Sequence, residues 1–419
     1  MRCTPCLLLL TCILLFTLFV SKAYSKSVTD IPAASAPADQ AVTAINAFAI
    51  DVYRQLAAEN GNVFFSPYSI SSAMTMVYAG ARGDTAAEME KTLHFEGRGP
   101  EIHAAMKALQ DRYDSIPVDN GIFSVANRLW LDTREKLTPY YTLLVEKNYG
   151  AGVEQVDFFN SHERARLEIN DWVAQRTRDK IKDLLQRGDV SRETILVCVN
   201  AVYFNSAWLM PFDKSETKEE PFSTGKDKRR NVSMMGQQES FLYGENTDAQ
   251  WIRIPYKING YSMVVFLPRE NESFTQLTEF ESKLSVETLT SWIADMQYNE
   301  VKLHMPKFKD ERRYLLADVL KVLGMKLAFS NDADFSGLVE ESRKNGQTVQ
   351  ISSVIHQAFI ELDEESTEAA AATAVTIVRT SMIIDPEPVK LFRANHPFMY
   401  CLMDDTGTIL FIGRMADPK

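Results

Sequence analysis

Glu364-Glu-Ser-Thr-Glu-Ala-Ala-Ala-Ala-Thr-Ala-Val-Thr-Ile-Val-Arg-Thr-Ser381 joins two conflicting backbone preferences in one stretch. Glu368 and the four alanines Ala369, Ala370, Ala371 and Ala372, with Ser366 or Thr367 as a cap, suit the start of a helix. Val375, Thr376, Ile377 and Val378 are β-branched and suit a pleated, half-buried surface. Read alone, the stretch is either a short helix or a segment built to change state. In the second reading, small side chains slide between existing strands and are followed by a bait that another protein can bind.

The rest of the chain bounds these readings. Its 419 residues contain 45% hydrophobic and 10% aromatic residues, enough to build a large core. No Pro/Gly/Ser-rich linker divides it after residue 41, so residues 41–419 are expected to form one domain. Arg2, the apolar run Leu7–Val20 and the small residues of Ser21-Lys-Ala-Tyr-Ser25 read as a secretion signal over 1–25, cleaved after Ala23 or Ser25. A run of 14 residues is shorter than the roughly 20 that span a bilayer. A secreted protein, extracellular or periplasmic, with no membrane contact after cleavage is therefore expected. Residues 26–40, rich in Ala, Ser, Pro and Asp, read as a flexible lead. The formal charge is -11, and losing Arg2 and Lys22 makes it more negative still, which argues against nonspecific nucleic-acid binding. Cys3, Cys6 and Cys12 leave with the leader. Cys198 and Cys401 sit in apolar runs and read as buried free thiols or, alternatively, as a disulfide.

Catalytic patterns are missing. The histidines show no His-Glu-x-x-His spacing, and there is no Gly-x-Ser-x-Gly elbow or phosphate-cradling glycine loop. No enzyme activity, cofactor or metal is expected. Lys226-Asp-Lys-Arg-Arg230 reads as a solvated turn or a polyanion site. Asn231-Val-Ser233 and Asn271-Glu-Ser273 are glycosylation sequons if the source glycosylates them. Periodicity predicts helices over 41–58, 68–92, 101–114, 162–186 and 312–324, and strands over 194–204, 261–268, 301–308, 350–362 and 397–413, the last a hairpin turning at Asp404-Asp-Thr-Gly-Thr408.

Motifs along most of the chain are similar to those of the serpin family. They are Asn62-Val-Phe-Phe-Ser-Pro-Tyr-Ser-Ile-Ser-Ser-Ala-Met74 with Tyr78-Ala-Gly-Ala-Arg-Gly-Asp-Thr85, Asn200-Ala-Val-Tyr-Phe-Asn-Ser-Ala-Trp208 with Pro211-Phe212, Leu303-His-Met-Pro-Lys-Phe308, Leu323-Gly324, Phe329-Ser330, Asp334-Phe-Ser-Gly337, His396-Pro-Phe398 and Leu410-Phe-Ile-Gly-Arg414. The resemblance implies an α+β serpin fold: a central, mostly antiparallel sheet, two further sheets, eight or nine helices and an exposed reactive-centre loop over about 364–390. It implies a monomer that forms a covalent acyl complex with serine proteases, elastase-like or trypsin/subtilisin-like.

The same resemblance makes Glu364, Ser366, Thr367, Glu368, the four alanines and Thr373 the loop hinge, with Ser366 a departure from the glycine common there. It makes Ser66, Ser69, Asn200 and His356 the polar cluster that lets the sheet open, and Trp208 the aromatic at the insertion point. Counting 17 residues from Glu364 places the reactive bond at Thr380-Ser381; one residue fewer gives Arg379-Thr380. The rival expectation is a non-inhibitory carrier or chaperone on the same fold.

Overall fold

Leu196–Asn205 is buried at nine consecutive positions, the pattern of a strand covered on both faces rather than one. Its surroundings come from a computed structural model that describes residues 36–117, 121–150, 152–225, 228–269, 275–340, 348–365 and 388–418. The expected leader, most of the flexible lead and most of the loop lie outside these residues.

The strands are β1 (Val63–Phe65), β2 (Ile122–Asp132), β3 (Val153–Val156), β4 (Leu196–Asn205) and β5 (Lys218–Gly225). They continue with β6 (Lys228–Glu245), β7 (Ala249–Pro255), β8 (Ser262–Pro268), β9 (Gln297–Pro306) and β10 (Phe308–Leu315). Last come β11 (Ile351–Leu362), β12 (Lys390–Arg393), β13 (Phe398–Met403) and β14 (Ile409–Met415). With nine α-helices among the described residues, the chain has the mixed α+β architecture expected.

Five strands form the central sheet in the order β10-β11-β4-β2-β3. Two of its pairings are antiparallel, β10 with β11 and β2 with β4, and two are parallel, β4 with β11 and β2 with β3. The remaining nine strands form one continuous ladder rather than two separate sheets. The join is β6, which pairs with β5 at its start, β9 through its middle and β7 at its end.

The central sheet is covered on both sides. Leu196, Cys198, Val202, Phe204, Val354, Ala358 and Ile360 face the main core, where helix Pro67–Tyr78 is buried at every residue. Val197, Val199, Ala201, Tyr203, Ile355 and Phe359 face a second core capped by Phe158, Ala165, Ile169 and Val173 of helix Phe158–Arg176. That helix packs on β2, and Ile181, Leu184, Leu185 and Val190 of the segment that follows it complete the same core.

Three expected helices are shorter than their periodicity suggests. The 68–92 run breaks into Pro67–Tyr78 and Gly83–Thr92, because a Cβ on Gly80 would lie 2.5 Å from Leu338 Cβ and the Arg82 N–H is taken by the Asp334 carbonyl. The 162–186 run stops at Arg176: the Thr177 hydroxyl bonds back to the Val173 carbonyl, and Arg178 and Asp179 turn left-handed at φ 51° and 60°. Residues 312–315 extend β10 instead of starting a helix, since their backbones pair with β11 from Arg312↔Ala358 to Leu315↔Ile355; ladder bonds override local propensity there. The C-terminal hairpin forms as expected, its turn closed by Asp404 Oδ1 accepting from Thr406 N and Thr408 N at 3.0 Å each. Cys198 and Cys401 are free and buried, and burial pushes the Cys198 thiol up to about 12.

Arg414 on β14 ties the C-terminal hairpin to the first helix. It donates to the Gly61 carbonyl at 2.7 Å and the Ala57 carbonyl at 3.1 Å, and lies 3.2 Å from Glu281, whose Oε1 also accepts from Tyr53 Oη at 2.6 Å. Removing one partner of a buried pair strands the other. Arg414→Ala is expected to destabilise the fold by about 3–5 kcal/mol in urea unfolding; a loss below about 1 kcal/mol would contradict this reading of the pair.

Candidate functional site

The β4–β11 seam is held by eight Cα pairs from Ile351↔Leu196 to Phe359↔Tyr203. At its centre a polar row crosses an otherwise apolar layer: His356 pairs with Asn200, and Asn200 with Asn127 on β2. The Ser66 N–H donates to His356 Nε2 at 3.1 Å, so Nε2 is the unprotonated nitrogen. His356 Nδ1 then carries the proton and donates to Asn200 Oδ1. Asn200 Nδ2 donates to Ser69 Oγ at 2.6 Å and to Asn127 Oδ1. Asn127 Nδ2 donates to the Ser69 carbonyl at 3.1 Å.

Helix Pro67–Tyr78 positions the two serines. Proline at its first residue and Ser66 as its cap fix the start, with Ser66 Oγ accepting from Ser69 N at 3.2 Å and donating to the Leu410 carbonyl at 2.6 Å. The row thus binds β11, β4 and β2 to the helix beneath them. Buried polar groups cost free energy unless bonded, and here every member has partners. Tyr314 on β10 stacks 6.4 Å from His356 at 9°.

The open end of the seam is built around Trp208, 1% exposed. Its ring stacks on Tyr256 at 4.5 Å and its Nε1–H donates to the Asp363 carbonyl at 2.9 Å. One residue on, Phe212 N donates to the Glu364 carbonyl at 3.0 Å. The Glu364 carboxylate accepts from Thr217 Oγ1 at 2.6 Å and pairs with Lys307 at 2.8 Å. Burial works to raise its pKa, but Lys307 and Thr217 together outweigh it and hold the carboxyl below its ordinary value. Glu365 is tethered by Lys214 at 2.8 Å. Glu364, the first residue of the expected hinge, and Glu365 beside it are therefore fastened to the rim of the seam.

Of the expected site residues, Ser66, Ser69, Asn200 and His356 meet in one network, and Trp208 lies at the end of the seam with Glu364. Ser366, Thr367, Glu368, the alanines from Ala369 to Ala372, Thr373, Arg379, Thr380 and Ser381 lie outside the described residues. Asn127, Lys307 and Thr217 join the site without having been singled out. An Asn in the middle of an apolar strand is the signal that could have found Asn127; Lys307 and Thr217 carry no local signal, because their role depends on a contact across the fold. No group of three or more His, Cys, Asp or Glu among the described residues could hold a metal.

Burial depresses the His356 pKa from 6.5 to about 3, and that of His103 to about 4. An unfolded chain takes up protons at these sites near pH 6.5, whereas the folded chain refuses them until pH 3–4. Stability from both groups is complete above about pH 6.5 and falls as pH drops toward 3, by a few kcal/mol in order of magnitude. The urea midpoint is expected to fall over that window, and less steeply in His356→Gln measured from its own pH 7 value; equal slopes would show that His356 is not held neutral.

Known proteins are similar to this chain in sequence and in fold. A family model described as serpin (serine protease inhibitor) matches residues 43–418. An uncharacterised serpin-like protein of Thermococcus kodakarensis is 39% identical over 90% of this chain and 86% of its own length. Human leukocyte elastase inhibitor is 38% identical over 91% of this chain and all of its own. The crystal structure of uncleaved ovalbumin superposes with a TM-score of 0.79 at 29% identity, covering 90% of this chain and 99% of that one. With matched motifs and a matched fold over nearly all of its described length, the chain belongs to the serpin family.

Proposed function

We propose that this chain is a secreted, monomeric suicide-substrate inhibitor of serine proteases rather than an enzyme. Membership of a family described as serine protease inhibitors, and the likeness to human leukocyte elastase inhibitor, support protease inhibition. The observation that carries the insertion mechanism is the parallel β4–β11 pair, with β11 running straight into Glu364 at its open end. A chain that leaves β11 and doubles back between the two strands is antiparallel to both, so its backbone gains two ladders.

The chemistry follows from that motion. The target's catalytic serine Oγ attacks the carbonyl carbon of Thr380, or of Arg379 in the shorter register, forming an ester while the peptide C–N bond breaks and the leaving amine takes a proton. Cleavage frees the loop at its far end. Residues 367–380 then enter the seam, and 14 residues at about 3.3 Å each carry the tethered protease roughly 46 Å. Distortion of the protease against the inhibitor body stops ester hydrolysis. In such a strand Thr367, Ala369, Ala371 and Thr373 face the core, where small groups cost little to bury. Thr380 suits an elastase-like pocket, and Arg379 suits one bearing a carboxylate.

The rival, a serpin-fold carrier or chaperone, needs no insertion; the small side chains from Ala369 to Thr373 favour the inhibitor. Incubation with trypsin, pancreatic elastase and subtilisin is expected to give a complex that survives denaturing electrophoresis. Thr367→Arg, which must bury an unpaired charge to insert, is expected to be cut without forming it. Cleavage of the unmodified protein with no complex would favour the rival, and undiminished complex formation by Thr367→Arg would overturn the hinge assignment.

A further inference from the structure

The outer face of the seam carries a contact that the polar row beneath does not explain. Tyr203 and Phe359 form the last Cα pair of the seam, and their rings, on the face of the second core, lie 5.6 Å apart. Lys180 reaches over them from the turn that ends helix Phe158–Arg176, its Nζ 5.8 Å from the Tyr203 ring and 5.9 Å from the Phe359 ring. Lys309 approaches Phe359 alone, at 4.8 Å. Neither ammonium has an ion-pair partner among the described residues.

The turn is held in place. Thr177 Oγ1 donates to the Val173 carbonyl at 2.8 Å and accepts from Ile181 N at 3.1 Å, and the two residues before Lys180 keep left-handed φ values of 51° and 60°, a conformation that L residues with a Cβ adopt at a cost. Lys180 is thus presented at one spot, astride β4 and β11.

We propose that Lys180 is a positioning residue that clamps the mouth of the seam and sets the rate of strand insertion. This rests on the insertion reading above. Adjacent strands lie about 4.8 Å apart, and a strand placed between β4 and β11 doubles that separation, so one ammonium can no longer face both rings. The contact therefore stabilises the uninserted sheet alone. It is also among the first to break, since Phe359 lies five residues before Glu364, at the rim where the chain leaves the sheet.

The test adds a synthetic peptide with the sequence of residues 367–380 to the intact full-length protein and follows its incorporation by native electrophoresis and thermal melting. Lys180→Met keeps the stem and removes the charge; it is expected to take up peptide about 3- to 10-fold faster, in line with the worth of a cation over an aromatic ring. Lys180→Arg is expected to return the rate to within about twofold of the unmodified protein. Lys309→Met, whose ammonium does not span the seam, is expected to change it by less than about twofold. A Lys180→Met rate equal to that of the unmodified protein, or an equal acceleration by Lys309→Met, would overturn the clamp while leaving insertion intact. Failure of the unmodified protein and all variants to take up peptide would overturn the insertion reading and the clamp with it.

Discussion

The parallel pairing of β4 with β11 is the constraint on which the rest of the structure depends. Both strands are interior, both faces are covered, and the chain leaves β11 at the end where the sheet meets Trp208 and Lys307. In this five-stranded sheet the β4–β11 seam is where the segment following β11 can add a strand antiparallel to its two neighbours. In the proposed insertion, the hydrogen bonds that close the seam are exchanged for bonds to the added strand, with a further ladder gained.

The side chains along the seam fit such an exchange. The His356-Asn200-Asn127 row joins three strands through hydrogen-bonded polar groups. The helix Pro67–Tyr78 lies beneath, in contact with β2 and β4, and helix Phe158–Arg176 packs on β2 at the opposite face. At the open end, the Glu364–Lys307 pair and the Lys214–Glu365 pair hold the departing chain at the rim. Only the Glu364 carboxylate is buried; the Lys214–Glu365 pair is exposed and adds little stability of its own.

Much of this was legible in the residues. The run over 194–204 read as a strand, although only the structure shows it covered on both faces, and the hairpin turn was written in Asp404-Asp-Thr-Gly-Thr408. Family motifs led to Ser66, Ser69, Asn200, His356 and Trp208. Other parts were not legible, for physical reasons. β10 carries a helix-like pattern at Arg312-Arg-Tyr-Leu315 and becomes a strand because β11 lies beside it. Gly80 ends a helix because Leu338, distant in sequence, occupies the space a side chain would need. Asn127, Lys307, Thr217 and Lys180 acquire their roles from partners on other strands, and no local spacing encodes such contacts.

The proposed trap requires an intact fold that is kinetically arrested and that reaches its lowest free energy only with the loop in the seam. The direct measurement is the melting temperature of the purified protein before and after a single cut in the segment 366–387 by a protease that releases it. If the seam accepts the freed strand, the cut protein melts well above the intact one, by tens of degrees, as expected when an interior strand is added to a large sheet. Equal melting temperatures would mean that the uncut fold stores nothing, and the trap would fail with them.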